Sequence, residues 1–523
     1  MIASSVTDKP ASSRKGIEAH ELTEAPLDHS PQPTLCEGYT SNPKKAVMLD
    51  EPLNRSEFNQ LEFSRTRKNL VLGVLSGAQF FDIFSACAAI VALPSLQVDL
   101  DFAEGTIQWI LSAYTLTLAS FMLISGRISD IFHPKPVFIV GFMVIGLLSI
   151  PIGASVNPIM AIVLRAAQGI GAAMNIPSAM ALITMTFSES ERGRAYSIYG
   201  ASGALGGCLG LIIGGIVASK ASWRWVFYIF AIIVIPFAVI SWFILPGAPP
   251  PDEEHHKKSL DWPGVASLTA GLILFVFAIS DGSASGWNTA RVIAPLVISI
   301  VIIGAFLFIE RIVKDPALPP RTWTNKNFTP LFFYGWTLYW WLFGSEMQLV
   351  QIFTALWKTS SLSAALRCLP LGISGGFSSY LAGIIVPEFP RRVVLVGAQL
   401  FMCIGSILFA LADNESRYWS YIVPGMILGM IGVGFGYVAS TITVMEGCRK
   451  GEEGVVSAVM YTSYQMGATL GLAMVASITV GVNSGLGVDP SATELLRGYA
   501  AAFWSTLGLN GVAILITVMF VRN

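Results

Sequence analysis

Apolar windows of about 18 to 28 residues, parted by polar or Pro/Gly-rich breaks, recur fourteen times along the chain. As a helix, each is long enough to cross a hydrocarbon core of about 30 Å. The windows run over 70–94, 107–126, 137–156, 159–183, 195–218, 224–245, 263–280, 292–310, 329–356, 363–386, 393–412, 418–443, 454–480 and 499–521. The pattern predicts an all-α integral membrane protein of fourteen transmembrane helices. Lys and Arg in the short breaks fix its direction. One alternate set of breaks carries eighteen of them, from Arg65, Arg67 and Lys68 through Arg192 and Arg194 to Arg522, and the other set carries seven. Cationic residues gather in cytoplasmic loops, so both termini are expected in the cytoplasm, as an even number of spans requires.

Composition agrees with that pattern and narrows it. The 523 residues are 53% hydrophobic and 12% charged, with a mean hydropathy of +0.63, far too apolar for a soluble fold of this length. A net charge of −1 gives no sign of a nucleic-acid partner. The six cysteines contain no CxxC pair, so they read as small core residues, and no metal or cofactor is expected. Residues 1–68, rich in Ser, Pro, Glu and Lys, read as a disordered cytoplasmic tail. The break PGAPPPDEEHHKKSLDW, Pro246 to Trp262, reads as a solvated linker, its His255 and His256 lying among Asp252, Glu253, Glu254, Lys257 and Lys258.

Against this background, polar residues inside the spans stand out. Asp82 lies mid-way along the first window, where an acid costs about 2.5 to 3.5 kcal/mol on insertion scales. Arg165, in LRAAQGIGAA of the fourth window, lies about two turns inside, with Gln168 one turn on and Gly169 and Gly171 permitting a close neighbour. Gly206, Gly210 and Gly214 of GALGGCLGLIIGGIV recur at i, i+4 and i+8 and smooth one helix face for tight packing. In GRISDIFHPKP, Asp130 is placed to accept from the amide end of a neighbouring helix, or to pair with Arg192 or Arg194, and so to latch the cytoplasmic side. The ninth window crowds Trp336, Tyr339, Trp340 and Trp341 before Glu346, an intramembrane acid that is a functional candidate by default. Gln79, Gln168, Asn175, Trp336, Trp340, Glu346, Tyr461, Tyr464 and Gln465 are the candidates for contact with a small-molecule substrate. GISGG, Gly372 to Gly376, matches the hydrolase nucleophile elbow in letters only, since it lies in an apolar helix with no intramembrane histidine; no enzyme is expected.

Arg165-x-x-Gln168-Gly169-x-Gly171, the Gly206/Gly210/Gly214-Gly215 stripe and SWRWVFYI (Ser222 to Ile229) together resemble the major facilitator superfamily over residues 70 to 521. The fourteen spans resemble its drug:proton antiporter branch, and the first span and GRISDIF resemble the fungal aminotriazole-resistance-type members. That resemblance implies two pseudo-symmetric six-helix halves, residues 69–246 and 327–523, with a linker and an inserted helix pair at 247–326. It implies a monomer in the plasma membrane that exports small organic compounds by alternating access, driven by the proton gradient. Residue by residue, it makes Asp82 the acid that exchanges protons and Arg165 the arginine linked to it, both facing one wet vestibule. Gly126, Asp130, Arg194, Gly206, Gly210, Gly214 and Gly215 become gating positions. His133 and Pro134 stand where the loop motif usually has Gly and Arg, and Leu211 stands where the glycine motif usually has Pro. Those departures keep open a facilitator or importer of a small cation or metabolite, and a non-transporting receptor is the reading from a different class.

Overall fold

The computed structural model describes residues 64–522 apart from 103–106, 108, 248–260, 314, 315, 317, 319, 326, 450, 451 and 484–490. Most of the expected tail and linker, with His255, His256, Lys257 and Lys258, therefore lies outside the described residues, as do Lys314, Lys326 and Lys450. Among the described residues, fourteen long helices carry the fold. The first six are α1 (Arg65–Asp99), α2 (Trp109–Phe132), α3 (Pro134–Gly153), α4 (Pro158–Thr186), α5 (Glu189–Lys220) and α6 (Trp223–Ile244). A pair follows, α7 (Trp262–Ser285) and α8 (Ala290–Ile312). The last six are α9 (Phe328–Gln351), α10 (Leu369–Ile385), α11 (Arg391–Ala410), α12 (Val423–Glu446), α13 (Glu453–Asn483) and α14 (Ala492–Phe520).

Thirteen helices of the described chain are long and apolar enough to cross a membrane, and α9 is the one predicted span outside that set. Its Tyr334, Trp336, Tyr339, Trp340 and Trp341 carry polar O–H and N–H groups that offset its Phe and Leu residues. The division after α9 is built from a π turn at Ile352–Leu356 and a short helix at Ser361–Arg367, with Lys358 at φ 53° between them. Helix starts are chemically specified. Asn157 accepts the Met160 N–H at 2.8 Å ahead of Pro158, and Ser188 with Glu191, like Ser491 with Glu494, closes a capping box.

The packing order reveals a repeat. In the first six helices α1 packs on α5, α2 on α4, and α3 on both α4 and α6; in the last six α9 packs on α13, α10 on α12, and α11 on both α12 and α14. The two sets have the same pairing, which is the signature of pseudo-two-fold halves. They meet along α2 with α13 and along α5 with α10. The inserted α7 and α8 pack on each other, and α7 sits against α2 and α13, where the Trp109 ring stacks on Phe277 at 5.5 Å and the Trp287 indole N–H donates to Ser477 at 2.8 Å.

Candidate functional site

Between the halves lies a cavity with about 960 Å³ of empty space, its mouth included. Gln79, Ile83 and Cys87 of α1 and Gly200, Gly203 and Gly207 of α5 line one side. Tyr339, Phe343 and Glu346 of α9, Gly372 and Gly375 of α10 and Tyr437 of α12 line the other. Gly200, Gly203 and Gly207 keep part of the α5 wall low, beside the lining side chains of Ala204, Cys208 and Leu211. Glu346 is its one charged lining residue, and no described group donates a hydrogen bond or forms an ion pair with it. Leu211 also lines the space, and α5 passes through it as one helix of 32 residues.

Asp82 is elsewhere. The expected wet vestibule shared with Arg165 is not found: Asp82 is 5% exposed, Arg165 is 0% exposed, and neither lines the cavity. A third residue joins them. The Tyr114 hydroxyl of α2 donates to Asp82 Oδ1 at 2.5 Å, and the Arg165 guanidinium lies over the Tyr114 ring at 4.4 Å. From there Arg165 Nε donates to the Ile110 carbonyl at 3.2 Å and Nη1 to Gln168 Oε1 at 2.7 Å. Gln168 in turn donates to the Ile145 carbonyl at 3.0 Å and to Ser149 Oγ at 2.7 Å, while Arg165 Nη2 is buried without a partner. An acid and a base thus sit in a low-dielectric layer, bridged by a phenol instead of by a direct ion pair, an arrangement sensitive to loss of any one member.

Of the nine substrate candidates, Gln79 and Glu346 line the cavity and the other seven do not. Gln168 is committed to Arg165, and Asn175, 3% exposed, points at Gly141 with both amide atoms unpartnered. Trp336 packs with Phe332 and Phe333, and Trp340 backs onto Gly471. The Tyr461 hydroxyl pairs with that of Tyr437, Tyr464 bonds to Ser440 at 3.0 Å, and Gln465 lies on the same helix, half-buried. Periodicity gives the faces of a helix but not its rotation in the bundle, and the aromatic face of α9 that meets the cavity is the one bearing Tyr339 and Phe343. Tyr114 escaped the sequence reading, a tyrosine in mid-span being the one available signal, and Cys87, Cys208 and Cys368, read as small core residues, line the cavity.

The glycine stripe serves packing. Methyl groups at Gly206, Gly210 and Gly214 would run into the backbone of Phe80, Phe84 and Ala88 respectively, so α1 and α5 run side by side with matching steps of four residues. Gly215 is buried in the same helix. At the end where α1 begins, Asp130 Oδ1 accepts the Gly454 N–H at 2.8 Å and Oδ2 the Val455 N–H at 2.9 Å. It thereby caps α13 from the other half, with Gly126 allowing the backbones to touch. Arg192 instead closes the end of α4, donating to the carbonyls of Thr184 at 2.8 Å and Phe187 at 3.1 Å, and Arg194 is exposed. In the loop after α2, burial and then the neighbouring Lys135 hold the His133 imidazole down to about 4, and its Nδ1 accepts the Lys135 N–H at 3.2 Å.

The sequence model of the Major Facilitator Superfamily matches residues 75–472. The chain belongs to this superfamily. A puromycin resistance protein of Streptomyces alboniger is 30% identical over 84% of this chain and 88% of its own length, and a cephamycin export protein of Amycolatopsis lactamdurans is 32% identical over 82% and 87%. A low affinity ammonium transporter of Saccharomyces cerevisiae is 28% identical over 80% and 81%. The human organic anion transporter MFSD10 shares the fold, with a TM-score of 0.62 at 15% identity, over 86% of this chain and 99% of its own. The chain is therefore a multi-pass membrane transporter of small molecules and not an enzyme.

Proposed function

We propose that this transporter is a proton-coupled exporter of small organic compounds, working by alternating access as a monomer in the plasma membrane with both termini in the cytoplasm. The finer kinship is with the fourteen-span drug:proton antiporters, and within them the fungal aminotriazole-resistance type. The observation that carries the reading is the sealed Asp82–Tyr114–Arg165 group set directly behind the cavity wall, since Gln79 and Ile83 of the same helix turn line that wall. The halves, 69–246 and 327–523, rock about the cavity. In one state the Tyr114 hydroxyl holds Asp82 closed off; in the other the acid is reached from outside, takes a proton and carries it inward as cargo leaves. Relatives named as a resistance protein and as an export protein support the outward direction.

The test is flux in proteoliposomes under an imposed pH gradient. Asp82→Asn is expected to abolish pH-driven export of a dye while purifying as a folded protein, and Tyr114→Phe is expected to keep export but alter its pH profile. Undiminished pH-driven export by Asp82→Asn refutes the coupling. A second reading, a facilitator or importer of a small cation or metabolite, is favoured by Leu211 in an α5 that runs without a break; flux insensitive to the sign of the gradient would decide for it.

A further inference from the structure

We infer that Cys208 and Cys368 form a two-thiol site for a trivalent organoarsenical, which on binding ties the two halves of the transporter together. Both are free thiols that line the cavity, and they belong to opposite halves, Cys208 to α5 and Cys368 to the position just ahead of α10. Cys208 Sγ reaches across the interface. It lies 3.9 Å from the carbonyl of Leu369, the residue that follows Cys368, and it fills the place that a Cβ on Gly372 would take. Cys368 is held firmly from its backbone, whose N–H donates to the Ala364 and Ala365 carbonyls at 3.1 Å and whose carbonyl accepts the Leu371 N–H at 3.0 Å. The two thiols are near enough to interact electrostatically.

Sulfur chemistry selects the ligand. Thiolates are soft ligands that prefer soft centres, and among the described residues no three His, Cys, Asp or Glu side chains are set to hold a metal ion. The pair therefore suits a centre that asks the protein for two ligands. A trivalent organoarsenical, R–As(OH)2, brings its third substituent with it. Two As–O and two S–H bonds break, two As–S bonds form, and the two protons leave with the two hydroxyls as water, with no change of oxidation state. An arsenic atom between two sulfurs spans more than the S–S bond of a disulfide, about 2.05 Å, so the bridge asks for less approach. The R group finds an apolar lining at Ile83, Leu211 and Phe343. Cys87 lines the same space, but it stands on α1 in the same half as Cys208, its Sγ 3.6 Å from where a Gly207 Cβ would stand. A bridge to Cys87 would leave the halves free.

The experiment treats the full chain in nanodiscs with phenylarsine oxide, digests it without added thiol and reads the peptide masses. The Cys208 and Cys368 peptides are expected to be joined through one phenylarsenic unit, and to be parted by 2,3-dimercaptopropanol but not by the same concentration of 2-mercaptoethanol, since only a dithiol competes with a chelate. Cys208→Ser and Cys368→Ser are each expected to bind the reagent at least about tenfold more weakly, because a chelate becomes a single bond, while Cys87→Ser keeps the wild-type affinity. In the wild type itself, with no variant needed, the reagent is expected to protect Cys208 and Cys368 from N-ethylmaleimide and to leave Cys403, half-buried on α11, open to it. Absence of the joined peptides, a join between Cys87 and Cys208 instead, or undiminished binding by Cys208→Ser overturns the inference. Because the assay involves no gradient and no cargo, the coupling reading stands or falls separately, on pH-driven flux through Asp82→Asn.

Discussion

Replacing Asp130 by Asn keeps size and shape but removes one acceptor and the charge from the contact that joins the halves. In the structure both carboxylate oxygens are used, at 2.8 Å to Gly454 and 2.9 Å to Val455. An amide can accept only one of those N–H groups and turns its own NH2 toward the other. A hydrogen bond to a charged group contributes about 1.5 to 3 kcal/mol, and a carboxylate at a helix start about 0.3 to 1 kcal/mol. Asp130 is half-buried, so solvent screening leaves roughly 1.5 to 2.5 kcal/mol as the net loss. At 1.4 kcal/mol per decade, the equilibrium between latched and unlatched states moves about 10- to 60-fold toward unlatched. Spin labels at Phe132 and Phe389, both exposed at this end, one in each half, report it in a background without the six native cysteines. Pulsed electron spin resonance of Asp130→Asn should show a longer-distance population that the parent lacks or holds at trace level. Identical distance distributions in the two proteins refute the idea that this cap holds the end shut.

Three further outcomes are expected from stability measurements. Gly206→Ala forces a methyl onto the Phe80 carbonyl and should lower stability by about 1 to 3 kcal/mol, whereas at Gly207 a Cβ finds ordinary contacts of 3.5 Å to Ile83 and 3.6 Å to Cys87, so Gly207→Ala should be neutral or slightly stabilising; thermal unfolding in detergent compares them, and equal losses would count against the close packing. His133 has φ 76°, a region that favours glycine, so His133→Gly should unfold at a higher temperature than His133→Ala, which keeps the strain and loses the cap. Burial holds the folded-state value of His133 at about 4 against 6.5 when free. Its contribution to stability is therefore fully present above about 6.5 and is lost as pH falls toward 4, because the unfolded chain binds the proton first; a His133→Asn protein should show less stability change across that window.

The number and order of the helices were legible because crossing a bilayer demands long apolar runs, and the fourteen windows correspond to the fourteen long helices. That Asp82 and Arg165 lie within long apolar helices was equally legible. Their connection was not, because it depends on how α2 is rotated to bring Tyr114 between them, and that rotation is decided by contacts with α4 and α13 together. The same limit removed Trp336 and Trp340 from the cavity while keeping Glu346 in it. The spacing of Gly206, Gly210 and Gly214 announced a close neighbour, but only the folded chain reveals that the neighbour is α1, in step at Phe80, Phe84 and Ala88.

That matched ladder between α1 and α5 has a consequence for how cargo range can change. With backbone resting on backbone at three successive turns, the two helices cannot slide or part, and the wall they form is a rigid template. Variation that reshapes the chamber by shifting a helix must then arise on α9, α10 and α12, where Phe343, Leu371 and Met430 line it. Selection for a new compound would be expected to leave its marks on those three helices.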